Sequence, residues 1–378
     1  CGKYPRGQPL VLAVFEGIGL RDLAMPVMAA ACVPLCYEIG QRWFGKGAAL
    51  CACALLLVSP HFVWTAGTLL SQTSGAFMLL LGTWWAMRGQ ETERALFNAL
   101  SGAAFGFGIL IRPLPGALFA ALACSWALGQ IAAAPAGQRG RAWLRALALG
   151  LPVALGGAAV LAVNFAQTGD ALSSGYTEVH GHMPVMSNHD AQVAHSVAGA
   201  LLRESFWLFG VPGCLLPVLF ARPLRNGWLF WGPLAAQLLY RVLYPKTVVS
   251  STGPIYLTEI VPLLALAAVD GVQRARRAWP GLPLRAATLA GAMVMTAACL
   301  FVPVQWRTLR RAVEARSQVF RMLEQSHAER ALVFSDALVY PSSGHSWAYF
   351  PDNPSPDLSD PVIFVRMPRA NVLLNIQD

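Results

Sequence analysis

Four of the seven histidines lie in one polar stretch, residues 164–204, which interrupts a long apolar run. Within it, Glu178, His180 and His182 occupy every second position, and on an extended segment such side chains share one face. Two imidazoles and a carboxylate on one face could bind a divalent metal. Because no further clear ligand accompanies them, we interpret them as solvated loop residues, and a divalent metal stays the alternative.

Arg112 and Glu259 carry charge at positions where apolar neighbours make charge costly. Arg112 ends one apolar segment and directly precedes Pro113, and an arginine there needs a partner or water. Glu259 lies just inside another apolar segment, with Tyr256 one helical turn before it. At Glu259 we expect a structural polar pair. The alternative is a contact with an acceptor or with a lipid phosphate.

The composition is that of an integral membrane protein. Of the 378 residues, 56% are hydrophobic and 12% are charged, whereas soluble domains carry about 25% charged residues. The net charge of +9 comes from short basic clusters between apolar segments, which argues against a nucleic-acid partner. Seven of the eight cysteines lie inside apolar segments, where cysteine behaves as a small hydrophobic residue.

We predict an α-helical polytopic membrane protein with about ten transmembrane helices. A spanning helix needs about 17 apolar residues or more. The candidate segments run over roughly 23–41, 47–66, 71–87, 95–112, 115–131, 146–163, 205–221, 227–243, 255–272 and 286–304. Lys and Arg cluster in alternate connections, which places those connections in the cytoplasm and residues 164–204 outside. The predicted location is a bacterial-type inner (plasma) membrane.

The sequence predicts two domains, a transmembrane domain over residues 1–304 and a small soluble α/β domain over residues 305–378. Residues 306–328 show helical spacing of apolar side chains, and two strand-like runs follow at 331–335 and 362–366. An even number of spans would put this domain outside the cell. The arginines that directly follow the last segment favour the cytoplasmic side instead.

Five short motifs, in order along nearly the whole chain, carry a resemblance to a known family. They are Lys-Tyr-Pro-Arg-Gly-Gln-Pro at 3–9, Ser-Gln-Thr at 71–73, Ile-Arg-Pro-Leu at 111–114, Asn followed by Thr-Gly-Asp-Ala-Leu at 164 and 168–172, and Gly-Pro-Ile-Tyr-Leu-Thr-Glu at 253–259. The set resembles the GT-C superfamily of polyprenyl-phosphate-sugar-dependent membrane glycosyltransferases, which includes protein mannosyltransferases and aminoarabinose transferases. Gln72 and Ile255 depart from it, since the family usually has histidine and arginine there.

This resemblance implies transfer of a sugar from a polyprenyl-phosphate carrier to a lipid, glycan or protein acceptor on the external face. It implies donor-phosphate contacts at Lys3 and Arg112, because a leaving phosphate needs cations to stabilise its charge. For Lys3, an interfacial lysine whose head reaches water is an equal alternative. Candidate substrate-binding residues are Gln72, Tyr256, Glu259, Glu178, His180 and His182.

The family's catalytic acid is an aspartate upstream of the Lys-Tyr-Pro motif. Since Cys1 stands only two residues before that motif, we expect an N-terminally truncated chain and assign no catalytic residue within it. Beyond a possible divalent metal no cofactor is implied. The implied partners are membrane lipid and the lipid-linked sugar donor. The sugar, the acceptor and the oligomeric state are not predicted.

Two other functional classes stay open. One is a lipid or glycan transporter or flippase, and the other is a catalytically inactive scaffold of the same fold. Transporters often place ionisable residues at the middle of the membrane and contain repeated halves. This sequence has almost no charge within its apolar segments and no internal repeat, which favours the glycosyltransferase.

Overall fold

The computed structural model describes residues 5–174, 205, 207–210, 213–224, 227–243, 256–280, 295, 297–326, 330–335 and 361–366. The chain divides into two compact units, Cys1–Val302 and Pro303–Asp378. Assignment of the first as a glycosyltransferase-like domain and the second as a soluble domain stays a prediction.

The described part of the first unit is helical. Its α-helices are α1 Gly7–Glu16, α2 Ala24–Trp43, α3 Lys46–Leu57, α4 Pro60–Ala66, α5 Ser71–Thr92, α6 Ala95–Ile111, α7 Pro113–Ala133, α8 Arg139–Thr168, α9 Trp228–Leu243 and α10 Val261–Ala278. Short 3-10 segments cover Arg21–Leu23, Ala136–Gln138, Leu216–Phe220 and Thr258–Ile260. A helical membrane fold therefore follows the long apolar runs of the sequence.

The α10 helix lies in the core of this unit. All residues of its first two turns, 261–268, are buried. The helix packs against α2, α3, α9 and the 3-10 segment Leu216–Phe220. In contrast, α8 leaves a row of large apolar side chains exposed, including Leu144, Leu147, Leu151 and Leu155. Such an apolar outer surface is suited to lipid rather than to water.

Helices α6 and α8 approach each other closely because glycines face one another. A Cβ atom built on Gly106 would lie 2.5 Å from the carbonyl oxygen of Pro152 in α8. One built on Gly156 would overlap the backbone of Gly106, and Gly102 meets Leu149 in the same way. Small residues at such an interface allow the backbones of membrane helices to come into contact.

Three described helical segments are long and apolar enough to cross a membrane, namely Arg21–Trp43, Pro113–Ala133 and Ala136–Thr168. Lys46–Leu57 and Pro60–Ala66 make a fourth if they form one span, but they bend by 63°. Ala95–Ile111 is a shorter apolar helix. The predicted number of about ten spans is therefore not confirmed.

Two predicted segments differ from the structure. The prediction of one continuous helix over 205–221 is wrong, because Gly210 and Gly213 adopt positive φ angles of 77° and 78° and a 3-10 segment follows. Glycine is the residue that takes up this left-handed conformation readily, and it ends helices. The α10 helix begins at Val261 rather than at 255, with Pro262 in its first turn, where proline is favoured. The segment 286–304 lies mostly outside the described residues.

The second unit contains most of helix α11, Val302–Ser326, and two strands. Strands β1, Ala331–Ser335, and β2, Val362–Arg366, pair in parallel with Ala331 opposite Val362. The predicted helix and both strand-like runs are confirmed. The strands follow the density of β-branched and aromatic residues, which favour extended backbone. That this unit is soluble and extracytoplasmic stays a prediction.

Candidate functional site

Arg112 is the single residue that joins α6 to α7. Its backbone is extended, with φ −141° and ψ 92°, which the following Pro113 favours. The Arg112 N–H donates to the Gly108 carbonyl at 2.9 Å, and its own carbonyl accepts from the Gly116 N–H at 2.8 Å. Both helix ends therefore hold this residue, and they fix the point from which its side chain starts.

Glu259 is the partner of the Arg112 guanidinium. The carboxylate lies in the 3-10 segment Thr258–Ile260, directly before α10. Its Oε1 atom is 2.6 Å from Arg112 Nη1, and the two side chains are 1% and 12% exposed. Its Oε2 atom has no hydrogen bond within the part of the chain that the structure describes. The expected polar pair at Glu259 thus exists, with a partner that is distant in sequence.

Tyr256 contacts the same arginine. The Cζ atom of Arg112 lies 5.6 Å from the centre of the Tyr256 ring. A guanidinium within about 6 Å of a tyrosine ring is attracted by the negative face of the ring. Tyr256, Glu259 and Arg112 therefore form one cluster, which we call the Arg112 cluster.

The start of α5 closes one side of the Arg112 cluster. A Cβ atom on Gly75 would lie 3.2 Å from Glu259 Cγ and 3.6 Å from Arg112 Cδ, so only glycine leaves ordinary space there. Gln72, one turn earlier on α5, is buried, and its Oε1 atom has no hydrogen bond to the described residues. A small cavity lined by Gly75, Phe105, Arg112 and Glu259 has room for about one water molecule.

His61 contacts the same 3-10 segment that carries Glu259. It lies in the short helix α4 and is fully buried. Its Nε2 atom is 2.9 Å from Oγ1 of Thr258, the residue before Glu259. His61 is a site residue that the sequence alone does not predict. The one available signal was a polar side chain in an apolar segment, which is costly and therefore often functional.

Two further motifs meet at the end of α8. With its amide turned to accept, the Gln167 side-chain oxygen lies 2.9 Å and 2.7 Å from Nε and Nη2 of Arg6. Thr168 Oγ1 donates to the Asn164 carbonyl at 2.9 Å, within the last turn of the helix. The contact between Arg6 and Gln167 brings the Lys-Tyr-Pro motif next to the Asn164 motif, although the two motifs are far apart in the sequence.

The Asn164 motif ends the α8 helix. Gly169, directly after the helix, has a φ angle of 79°, which is the left-handed conformation that glycine adopts at helix ends. The Leu172 N–H then donates to Asp170 Oδ1 at 3.0 Å. This hydrogen bond forms an Asx turn, so Asp170 acts as a turn former directly after the helix.

Four of the predicted site residues, Lys3, Glu178, His180 and His182, lie outside the described residues. The other four, Gln72, Arg112, Tyr256 and Glu259, lie at the junction of α5, α6, α7 and the segment before α10. No group of three or more His, Cys, Asp or Glu side chains in the described ranges could hold a metal ion. The structure therefore brings together the cationic and acidic candidates, and leaves the possible metal ligands untested.

One family-model match and two solved structures relate this chain to known proteins. A family model for dolichyl-phosphate-mannose-protein mannosyltransferase matches residues 10–156. The crystal structure of ArnT from Cupriavidus metallidurans bound to undecaprenyl phosphate matches with a TM-score of 0.53 and 18% identity, over 77% of this chain and 54% of that chain. The same protein in the apo state gives 0.50 and 18%, over 77% and 53%.

These findings confirm the predicted resemblance to the GT-C superfamily, and the apolar helices fit an integral membrane protein. At 18% identity the likeness to ArnT shows the fold alone. The chain spans about half the length of the ArnT structures that it matches. No curated protein sequence matches it significantly.

Proposed function

We propose that this chain is the membrane part of a glycosyltransferase that moves a sugar from a polyprenyl-phosphate carrier to a lipid, glycan or protein acceptor on the external face of a bacterial-type inner membrane. The observation that carries the proposal is the Arg112 cluster. It holds a largely buried arginine between a carboxylate and an aromatic ring, within a GT-C fold. One of the ArnT structures with this fold was obtained with undecaprenyl phosphate bound.

The reaction explains why such an arginine is needed. An oxygen of the acceptor forms a bond to the anomeric carbon, and the bond from that carbon to the carrier phosphate breaks. The bonding electron pair leaves with the phosphate, so negative charge develops on its oxygens. A guanidinium that is already oriented stabilises this charge without reorganisation, and it can bind two phosphate oxygens at once.

In this proposal, Glu259 and Tyr256 hold Arg112 in place, and Gln72 lines the same side of the site. Lys3 would supply a second cation, and Glu178, His180 and His182 would face the acceptor. The base that takes the proton of the acceptor hydroxyl is not assigned to any of these residues. The resemblance places it upstream of the Lys-Tyr-Pro motif, where a carboxylate would do this work.

Transfer of label tests the proposal. Purified full-length protein that contains this chain is incubated with radiolabelled polyprenyl-phosphate sugars and membrane extract, and lipid, glycan and protein products are separated. We expect label in one of them. We expect Arg112→Ala to abolish transfer and donor binding while the protein still folds, although with a lower unfolding free energy than the wild type. The matched control is Arg141→Ala, an exposed arginine at the other end of the helices, which should transfer label normally.

Two results would contradict this interpretation. No transfer with any donor, from a protein that elutes as a single folded species, would exclude the glycosyltransferase. Substrate counterflow by that protein in proteoliposomes would then favour the transporter, and no counterflow would favour the inactive scaffold. Unchanged affinity of Arg112→Ala for the donor would show that Arg112 does not bind the donor phosphate.

A further inference from the structure

A second polar pocket lies at the opposite ends of the helices that carry the Arg112 cluster. It forms where the end of α5, the start of α6, the end of α7 and the start of α8 come together. Its polar lining consists of Gln90, Asn98, Gln130 and Arg145, with Trp126 beside them. We call this pocket the Arg145 pocket. The proposed glycosyl transfer uses none of its residues, so that reaction does not explain why a charged side chain lies there.

The charge of the Arg145 pocket is positive. Arg145 is partly buried, and within the described part of the chain its guanidinium forms no ion pair. Three neutral amides line the same pocket. Gln90 and Gln130 can donate hydrogen bonds through an NH₂ group, whereas the Asn98 NH₂ group already donates one to the Arg94 carbonyl at 3.4 Å. A cation that neighbouring carboxylates do not neutralise, together with several amide donors, suits an anion.

Two helix starts add to this positive charge. Both α6 and α8 begin at this end, and neither has an acidic residue in its first turn or a side chain that caps its free N–H groups. The start of a helix carries about half a positive charge, which favours anions nearby.

Acidic residues at this end offset the charge only in part. Glu91 is 2.7 Å from Arg42 and 3.6 Å from Arg88, so its carboxylate is already engaged by two arginines. Glu93 is exposed at the end of α5. Glu38 on α2 pairs with the same Arg42 at 2.7 Å. Against these three carboxylates, Arg94, Arg139 and Arg141 are exposed in the surrounding loops and helix starts. The surroundings of the pocket therefore stay positive.

An α8 helix that crosses the bilayer along its normal places Arg145 at the level of the lipid phosphates. The α8 helix has 30 residues and is thus about 45 Å long, which equals a bilayer with its headgroup layers. Arg145 lies six positions after Arg139, at the start of α8, or about 9 Å along the helix axis. That is close to the boundary between headgroups and hydrocarbon, where a phosphate diester would meet it.

Apolar side chains beside the pocket favour a lipid over a free phosphate ion. Leu144 and Leu147 flank Arg145 on α8 and are 61% and 62% exposed, and Leu128 on the neighbouring helix is 56% exposed. They offer a surface for acyl chains next to the cation. The pocket itself has room for little more than a water molecule, so it would take phosphate oxygens while the rest of the lipid lies outside.

We propose that the Arg145 pocket binds the phosphate of an acidic phospholipid headgroup in the leaflet opposite the Arg112 cluster. Arg145 binds the phosphate oxygens, the Gln90 and Gln130 amides donate to the headgroup, and the acyl chains lie along Leu144 and Leu147. Basic pockets between membrane helices on the cytoplasmic side are known to bind such headgroups. This site is independent of glycosyl transfer.

Lipid binding to the purified full chain in detergent tests the site. Phosphatidylglycerol and phosphatidylcholine with identical acyl chains are titrated separately, and inorganic phosphate forms a third arm. The readouts are the number of lipids retained in native mass spectrometry and the thermal unfolding midpoint. The variants are Arg145→Gln, Arg145→Lys and the matched control Arg141→Gln, which changes an exposed arginine one turn earlier on the same helix.

We expect one phosphatidylglycerol to be retained and to raise the unfolding midpoint, with little effect of phosphatidylcholine or inorganic phosphate. Arg145→Gln should weaken phosphatidylglycerol binding about fivefold, which corresponds to the roughly 1 kcal/mol that one basic residue contributes near a charged membrane surface. Arg145→Lys should keep most of the binding, and Arg141→Gln should bind normally.

Three results would overturn the proposal. Equal weakening in Arg145→Gln and Arg141→Gln would mean general surface charge rather than a pocket. Equal binding of phosphatidylcholine would remove the requirement for an acidic headgroup. Equal stabilisation by inorganic phosphate would replace the lipid with a free anion. If Arg145→Gln does not fold, the preference of the wild type for phosphatidylglycerol over phosphatidylcholine and inorganic phosphate still tests the second and third of these results.

Discussion

Replacing either Arg112 or Glu259 by an apolar residue should lower the unfolding free energy strongly. Replacing both residues together should lower it by less than the sum of the two single losses. The atoms lie 2.6 Å apart, and Glu259 is 1% exposed. Removing one partner of a buried pair leaves an uncompensated charge and destabilises a protein by about 3 to 5 kcal/mol. Replacing both by apolar residues of similar size is often neutral or stabilising.

The test is a double-mutant cycle on the free energy of unfolding. Glu259→Leu and Arg112→Met are made singly and together, and each protein is unfolded in mixed micelles by increasing denaturing detergent. We expect each single variant to lose about 3 kcal/mol and the double variant to recover about half of the summed loss or more. Arg141→Met combined with Glu259→Leu is the control, and its effects should add.

Additivity would refute the reasoning. If the double variant loses the sum of the single effects to within about 0.5 kcal/mol, the two side chains are not energetically coupled. The Arg112 cluster would then not hold its arginine through Glu259. The proposal that Glu259 orients a phosphate-binding cation would lose its physical basis.

Two further predictions concern packing and hydrogen bonding. Gly156→Ala should lower the unfolding free energy by about 1 to 3 kcal/mol, because the new Cβ atom would meet the facing backbone of α6. The control Gly157→Ala has open space around its Cβ atom and should raise the unfolding free energy by up to about 1 kcal/mol. Equal shifts of the thermal unfolding midpoint in the two variants would contradict this packing. Thr258→Val removes the hydroxyl that lies 2.9 Å from His61 Nε2, and it should lower the unfolding free energy, measured by thermal unfolding, by about 1 to 3 kcal/mol. In the control Thr83→Val, the buried hydroxyl has no hydrogen bond to the described residues, so its removal should leave the unfolding free energy unchanged.

The helices that the sequence predicts well are those whose apolar run is long and has no glycine in a left-handed conformation. The α7 and α8 helices enclose their predicted segments, and both strands match their predicted bounds. The segment 205–221 is equally apolar, yet Gly210 and Gly213 break it. The mean hydropathy of a segment is an average over many residues, so it does not detect a single break in a helix. A positive φ angle depends on one residue and its tertiary contacts.

The site was predicted residue by residue, without the contacts that join the residues. Arg112 and Glu259 each stood out because charge in an apolar segment needs a partner. That they are each other's partner depends on how α5 and α6 pack beside the segment before α10, and no local pattern encodes that packing. His61 was missed because one histidine in an apolar segment is usually explained as a core residue.

The start of α7 offers an anion very few backbone donors. A helix normally begins with free N–H groups, and these are a common means of binding phosphate. Here Pro113 and Pro115 have no N–H, and the Gly116 N–H already donates to the Arg112 carbonyl. Leu114 is left as the one N–H donor of the first three positions. A phosphate at this helix end would therefore depend on the guanidinium of one side chain, and the backbone could not replace that side chain if it were lost.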